Sequence, residues 1–331
     1  MLENGTVAIP PFELSLSELL DDKSKVLHIE QMNFWQQMGQ DCNYQLQDDP
    51  CGRKLRETYR NHLLPLINKQ RSRYAVNIKR QLIAGIEVEL FEPVNKGSSF
   101  NKDAILINLH GGGFVTGDIE GGQIESIPIA AVSGITVISI NYSLAPDVKF
   151  PVASEEVIAV YNALLQDYPA SAIGIYGASA GALLTSQVVA GLIKRNIALP
   201  AALGLFALGA ADYAGSDSAD IVSRLENCML PDAHTHPYYG NEGSTPSVFP
   251  ALSERLMSLF PPTLLISSVR DLGLSSVVYT HSQMIKQGVS AELMVWEGLR
   301  HCFFYDPDFE QSREMYQSVA RYFNHCLAGG A

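Results

Sequence analysis

From Tyr74 to its C-terminus the chain alternates short runs rich in Ile, Val and Leu with longer amphipathic stretches. Such alternation is the pattern of a mostly parallel sheet covered by helices on both faces: parallel neighbours need long crossovers, and a strand buried on both sides is apolar throughout. The strand candidates are 74–82 and 86–91, which pair around Ala84-Gly85, then 104–109, 135–141, 172–176, 201–208, 263–268 and 291–297. That makes about eight strands. Apolar residues recur at helical spacing in 154–167, 180–195, 275–287 and 310–327, which supplies the crossover helices. The first 70 residues differ. Segments 16–39 and 52–68 have helical spacing with no strand between them, so residues 1–70 are expected to form a helical cap on a main domain of residues 71–331. Segment 209–250, rich in Asp, Ser, Asn, Gly, Tyr and His, is expected to be an irregular insertion contributing to the cap or to a pocket.

With 47% hydrophobic and 18% charged residues over 331 positions, the chain can bury a large core. Its formal charge of −12 opposes phosphate backbones and anionic lipid surfaces, so neither nucleic acid nor a membrane is expected as a partner. The opening MLENGTVAIPPFELS has no basic residue before its apolar stretch, which does not fit a secretory signal, and a cytoplasmic location is expected. The longest apolar run, 199–211, is shorter than the roughly 20 residues of a membrane-spanning helix. Five cysteines (Cys42, Cys51, Cys228, Cys302 and Cys326) are odd in number and form no CxxC pair, which fits reduced thiols.

Two glycine-bracketed motifs carry the chemistry. Gly177-Ala178-Ser179-Ala180-Gly181 follows a strand and opens a helix, the setting in which G-x-S-x-G is a nucleophile elbow. Its glycines leave room for a sharp turn that exposes Ser179, and the Ala180 amide at the helix start is a donor for a developing oxyanion. His110-Gly111-Gly112-Gly113-Phe114 follows strand 104–109, and a triple glycine lets a backbone approach a ligand and turn amides toward it. Gly112 and Gly113 are the donors expected from this loop.

In these residues the chain resembles the hormone-sensitive-lipase-like branch of the α/β-hydrolase superfamily, which includes bacterial carboxylesterases. Asn141-Tyr142-Ser143-Leu144-Ala145-Pro146-Asp147, continuing to Phe150-Pro151, is similar to that family's NYRLAPE…FP, and Glu297-Gly298-Leu299-Arg300-His301 to its EGMxH. The resemblance runs from Ala104 to the C-terminus. It implies an α/β-hydrolase fold with residues 71–331 as the catalytic domain, His301 as base and Asp271 as acid. The chain order Ser179, Asp271, His301 is that of the superfamily, although Asp212 also follows a predicted strand and competes for the role of acid. Several positions depart from the family pattern: Ala178 in the elbow, Asp147 in place of Glu, Cys302 in place of Gly, and Asp271-Leu272-Gly273-Leu274-Ser275-Ser276 without the family's Pro and further acids.

The expected activity is that of a serine hydrolase cleaving a small or medium acyl ester through an acyl-enzyme, with Ser179 as nucleophile, His301 as general base and acid, and Asp271 as orienting acid. The same apparatus also serves lactones, amides or formamides and acyl transfer. A receptor is the remaining class, since plant hormone receptors of this branch keep the fold while losing a triad member. Phe114 and Tyr142 are expected at the substrate, and Phe34, Trp35 and Tyr44 either line an acyl pocket or pack the cap. No cofactor or metal is expected, because Asp232, His234 and His236 form a D-x-H-x-H cluster with no further ligand at regular spacing. The family resemblance implies a homodimer.

Overall fold

The structure, a computed structural model, describes residues 13–41, 49, 52–94, 101–226, 236–243 and 245–328. All eight expected strands form: β1 (Val76–Ile83), β2 (Ile86–Pro93), β3 (Asn101–Leu109), β4 (Ile135–Ile140), β5 (Ile173–Ala178), β6 (Ala202–Phe206), β7 (Thr263–Arg270) and β8 (Ala291–Arg300). They make one sheet in the order β1-β2-β4-β3-β5-β6-β7-β8. The pairs β1–β2 and β2–β4 are antiparallel, and every pair from β4–β3 to β7–β8 is parallel. The chain therefore winds outward from β3 in both directions, and the loops leaving the C-terminal ends of β3, β5, β7 and β8 emerge at one edge.

The helices are α1 (Asp22–Asp41), α2 (Arg53–Arg73), α3 (Asp118–Ser133), α4 (Val152–Leu164), α5 (Ala180–Lys194), α6 (Asp217–Leu225), α7 (Glu254–Met257), α8 (Leu274–Lys286) and α9 (Glu310–Leu327). Strand alternation divides the core in two. Ile105, Ile107 and Leu109 of β3 point into a cluster with α4, α5 and α8, whereas Ala104 and Leu106 point into one with α2, α3 and α9. Each fully buried Ile, Leu or Phe contributes roughly 1.5–3 kcal/mol of transfer free energy to this two-sided packing.

Besides the single turn of α7, two helices differ from expectation. The first is α3, where the sequence shows no helical period. Twelve of its 16 residues are buried, and they include Gly121, Gly122, Pro128 and several isoleucines. A segment buried on nearly all sides shows no polar face, and glycine and proline have poor helix propensity, so tertiary packing alone makes this helix. The second is α6, which lies inside the stretch expected to be irregular. Only Ala219 and Val222 of its nine residues are buried, so its apolar stripe is too narrow to stand out in a polar segment.

The two N-terminal helices lie where the cap is expected. Leu63, Leu66 and Ile67 of α2 are buried, and Gln31 of α1 donates to Phe303 O at 3.4 Å.

Candidate active site

Pairing of β3 with β5 in parallel brings the two glycine motifs side by side, with Leu109 opposite Gly177. At the end of β5 the chain reverses through Ser179 at φ 54°, ψ −122°, and the Ser179 amide donates to Phe206 O at 2.8 Å, fixing the turn to β6. A left-handed φ in a residue with a Cβ costs on the order of 1 kcal/mol or more, and the strain projects the hydroxyl out of the turn. Gly181 is required by close approach, since a Cβ there would lie 1.8 Å from Leu109 O.

His301 follows β8 and Asp271 follows β7, so both side chains reach the same edge. Ser179 Oγ lies 2.9 Å from His301 Nε2, and His301 Nδ1 lies 2.6 Å from Asp271 Oδ1. Asp271 is 1% exposed, yet both its oxygens are satisfied: Gly273 N donates to Oδ1 at 2.8 Å and Ser267 Oγ to Oδ2 at 2.9 Å. The missing family Pro and acids are thus replaced by an Asx-type turn in which the acid's own oxygen holds its loop. Asp212, the competing acid, instead accepts from Ala214 N at 3.0 Å in its own turn.

Burial works against a charged His301. Cys302 and Asp271 beside it more than offset that, holding the imidazole pKa well above the ordinary 6.5. Cys302 itself is buried at φ 53°, the left-handed conformation that a glycine adopts without strain.

The glycine loop takes the shape its sequence suggests. Gly112 has φ 117°, and a Cβ there would lie 2.3 Å from Thr116 O, so only glycine fits. Its carbonyl accepts from Val115 N at 3.1 Å and Thr116 N at 2.9 Å, closing a turn. Among the described residues, the amides of Gly112, Gly113 and Ala180, like those of Phe114 and Gly181, donate to no protein acceptor, whereas those of Gly111, Val115, Thr116 and Ser179 do. An amide left free beside a nucleophile is available to a ligand oxygen.

Phe114 and Tyr142 both lie beneath this loop. Tyr142 is 1% exposed, its ring stacks on His110 at 4.2 Å, and its hydroxyl donates to His110 O at 2.6 Å. Phe114 is 2% exposed and stacks on Tyr238 at 4.2 Å.

Several residues around the site carried no local signal in the sequence. Arg56 of α2 donates to Val115 O at 3.0 Å and Ala145 O at 2.8 Å, and pairs with Asp147 at 2.8 Å, tying an N-terminal helix to the segment after the glycine loop. Arg300 holds Glu226 through two bonds of 3.1 and 2.9 Å and lies 4.7 Å above the Trp35 ring of α1. Phe34 and Trp35 pack against the core cluster of α2, α3 and α9, while Tyr44 lies outside the described residues. His236 accepts from Tyr238 N at 3.2 Å; Asp232 and His234 lie outside the described residues. Among the described residues no group of three His, Cys, Asp or Glu side chains is arranged to hold a metal, and no helix is long and apolar enough to cross a membrane. Cys302 and Cys326 are free thiols; Cys42, Cys51 and Cys228 lie outside the described residues.

This fold and the loops at its edge define a class, and the chain belongs to it: the alpha/beta hydrolase fold family, whose model matches residues 106–305. Among similar proteins is one of Mycobacterium tuberculosis, provisionally named acetyl-hydrolase LipR, 33% identical over 199 residues, which are 58% of this chain and 62% of that protein. The match thus spans less than two thirds of LipR. An ethyl acetate hydrolase of Pseudomonas putida is 26% identical over 239 residues, covering 66% of this chain and 71% of that protein. Among solved structures, esterase E25 superposes with a TM-score of 0.86 at 27% identity, over 98% of this chain and 100% of its own. An esterase from the bacterial hormone-sensitive lipase family shares the fold, with a TM-score of 0.78 at 20% identity over 90% of this chain and 97% of its own.

Proposed function

We propose that the chain is a carboxylic ester hydrolase acting on small or medium acyl esters through an acyl-enzyme. His301 Nε2 takes the Ser179 proton as Oγ bonds to the ester carbonyl carbon, and the carbonyl electron pair moves onto oxygen, where the amides of Gly112, Gly113 and Ala180 receive it. Collapse of this intermediate expels the alkoxide, which takes the proton from His301. Water then repeats the sequence with His301 as base and releases the acid. Asp271 holds the imidazole with Nδ1 protonated and stabilises the imidazolium.

The observation that carries this reading is the unbroken chain from Ser179 Oγ through His301 to a buried, fully bonded Asp271. Similarity to an acetyl-hydrolase and an ethyl acetate hydrolase favours a short acyl group. Phe114 and Tyr142, both buried, act in this reading as supports of the oxyanion loop.

Hydrolysis of p-nitrophenyl acetate and butyrate tests it. Ser179→Ala should reduce turnover by about 10⁴-fold or more. Equal rates from the wild type and this variant would end the proposal.

A further inference from the structure

Behind the nucleophile lies a carboxyl group that none of the steps above uses. Glu125, in the middle of α3, is 2% exposed and faces the underside of the glycine loop and the elbow. Its Oε1 accepts from the Gly111 amide at 3.2 Å and the Tyr305 hydroxyl at 2.8 Å, and its Oε2 accepts from Asn108 Nδ2 at 2.8 Å. The Ala178 amide, closing no hydrogen bond to it, also favours its charged form. Asn108 is held in turn by Ser139 Oγ at 2.9 Å. No lysine, arginine or histidine pairs with Glu125 among the described residues, so this is no buried salt bridge.

The three donors and the Ala178 amide share one property. Gly111 immediately precedes the two glycines of the proposed oxyanion hole, Ala178 immediately precedes the nucleophile, Tyr305 lies four residues beyond the base, and Asn108 is the last residue but one of the strand that delivers the glycine loop. Space around Gly111 is tight: a Cβ there would lie 2.8 Å from the Tyr305 hydroxyl and 3.5 Å from Ser179 Cβ. A single carboxyl group is therefore bonded to the two loops on which base and oxyanion donors are mounted, and its charge is favoured by the amide that precedes the nucleophile.

We propose that Glu125 is a positioning residue for the hydrolytic reaction, fixing the Gly111 peptide and with it the direction of the Gly112 and Gly113 amides relative to Ser179. It touches no reacting atom. A carboxyl group offers two acceptor oxygens to donors on different loops, whereas one backbone carbonyl offers a single oxygen. Burial raises the Glu125 carboxyl to about 7, against the pull of its three donors and the Ala178 amide. A group this costly to ionise in place is retained for what it bonds rather than for stability. An oxyanion hole works by preorganisation, so a loop free to rotate its amides loses rate in the transition state while ground-state binding stays as it was.

The proposal rests on Ser179 as nucleophile, which Ser179→Ala tests separately; the Glu125 variants are compared with wild type alone. Glu125→Leu and Glu125→Gln are assayed for kcat and KM on p-nitrophenyl acetate, and for the Ki of an alkyl trifluoromethyl ketone, whose hemiketal with Ser179 places an oxyanion in the hole. Leu should lower kcat by about 10- to 100-fold with KM within about twofold of wild type, and raise the ketone Ki by a similar factor. Gln, which keeps one carbonyl oxygen for Gly111 while Asn108 turns its amide over, should recover most of both losses. A folded Leu variant with kcat within twofold of wild type would overturn the proposal, as would a loss confined to KM with the ketone Ki unchanged. Should the Leu variant not fold, Tyr305→Phe removes one of the three donors and keeps the ring. It should lower kcat about 3- to 10-fold at constant KM, and an unchanged kcat there would also overturn the proposal.

Discussion

At the scale of single residues, His301 is the proposed base, and in that reading its state sets the rate. A general base must be unprotonated to take the Ser179 proton, and Cys302 and Asp271 hold the imidazole pKa well above 6.5 despite its burial. The fraction of active enzyme therefore rises with pH through a value above 6.5. The acid limb of kcat/KM should still be climbing at pH 7, and a profile already flat at pH 6.5 would contradict the raised imidazole. Ser179, His301 and the glycines of both loops were legible because their chemistry needs those residue types beside particular strand ends. Asp271 was legible only as one of two candidates. The structure places Asp271 and not Asp212 against the imidazole, and the Gly273 backbone amide that steadies it has no side-chain signature in the sequence.

At the scale of elements, the join between α2 and the body depends on one side chain. Arg56 reaches two backbone carbonyls in partly buried surroundings and one exposed carboxylate, Asp147. Charged donors to carbonyls in such places are worth about 1.5–3 kcal/mol, whereas an exposed ion pair contributes less than about 1 kcal/mol. Arg56→Met should cost roughly 1–3 kcal/mol in urea unfolding, and Asp147→Asn no more than about 0.5 kcal/mol. Equal losses from the two would mean that the ion pair, and not the carbonyls, fastens α2. Helix α3 shows where element reading reaches its limit. A segment enclosed on nearly every side has no solvent face, and without one its period is invisible. Missing α3 also hid Glu125, an acid standing alone among Ile124, Ser126 and Ile127. The eight strands suffered no such loss: the central ones are short apolar runs, while β1, β2 and β8 toward the edges alternate apolar and polar residues.

For the whole molecule, buried titratable groups make stability depend on pH. His28, His110 and His236 are each lowered by burial to about 4. Each binds a proton in the folded state only below about pH 4, while the unfolded chain does so below the ordinary 6.5. Between those values the unfolded state holds more protons, so stability falls as pH is lowered. Glu125 acts in the opposite sense between 4.5 and about 7, because the folded carboxyl keeps a proton that the unfolded chain has lost. His301, raised in the folded state, adds to Glu125, though only above 6.5, where the unfolded imidazole loses its proton. Between pH 7 and pH 5 the three lowered rings outweigh these two. Thermal unfolding at pH 5 should therefore begin about 5 °C or more below that at pH 7. A transition temperature that stays level or rises on acidification would show that the three rings are not held neutral by the fold.

What the sequence determined by itself is local in origin. Strand runs, glycine motifs and the order of Ser179, Asp271 and His301 follow from backbone sterics, burial and the demands of acyl transfer, and each can be recognised within a few consecutive residues. The tertiary structure alone decided which acid meets the base, that an all-buried stretch is a helix, and that Tyr142 and Glu125 lie beneath the oxyanion loop. Those outcomes depend on contacts between residues far apart in the chain, 122 positions for Ser179 and His301 and 180 for Glu125 and Tyr305. A hydrogen bond closed over such a distance is set by how the sheet stacks its strands, and neither partner carries a trace of it in its own neighbourhood.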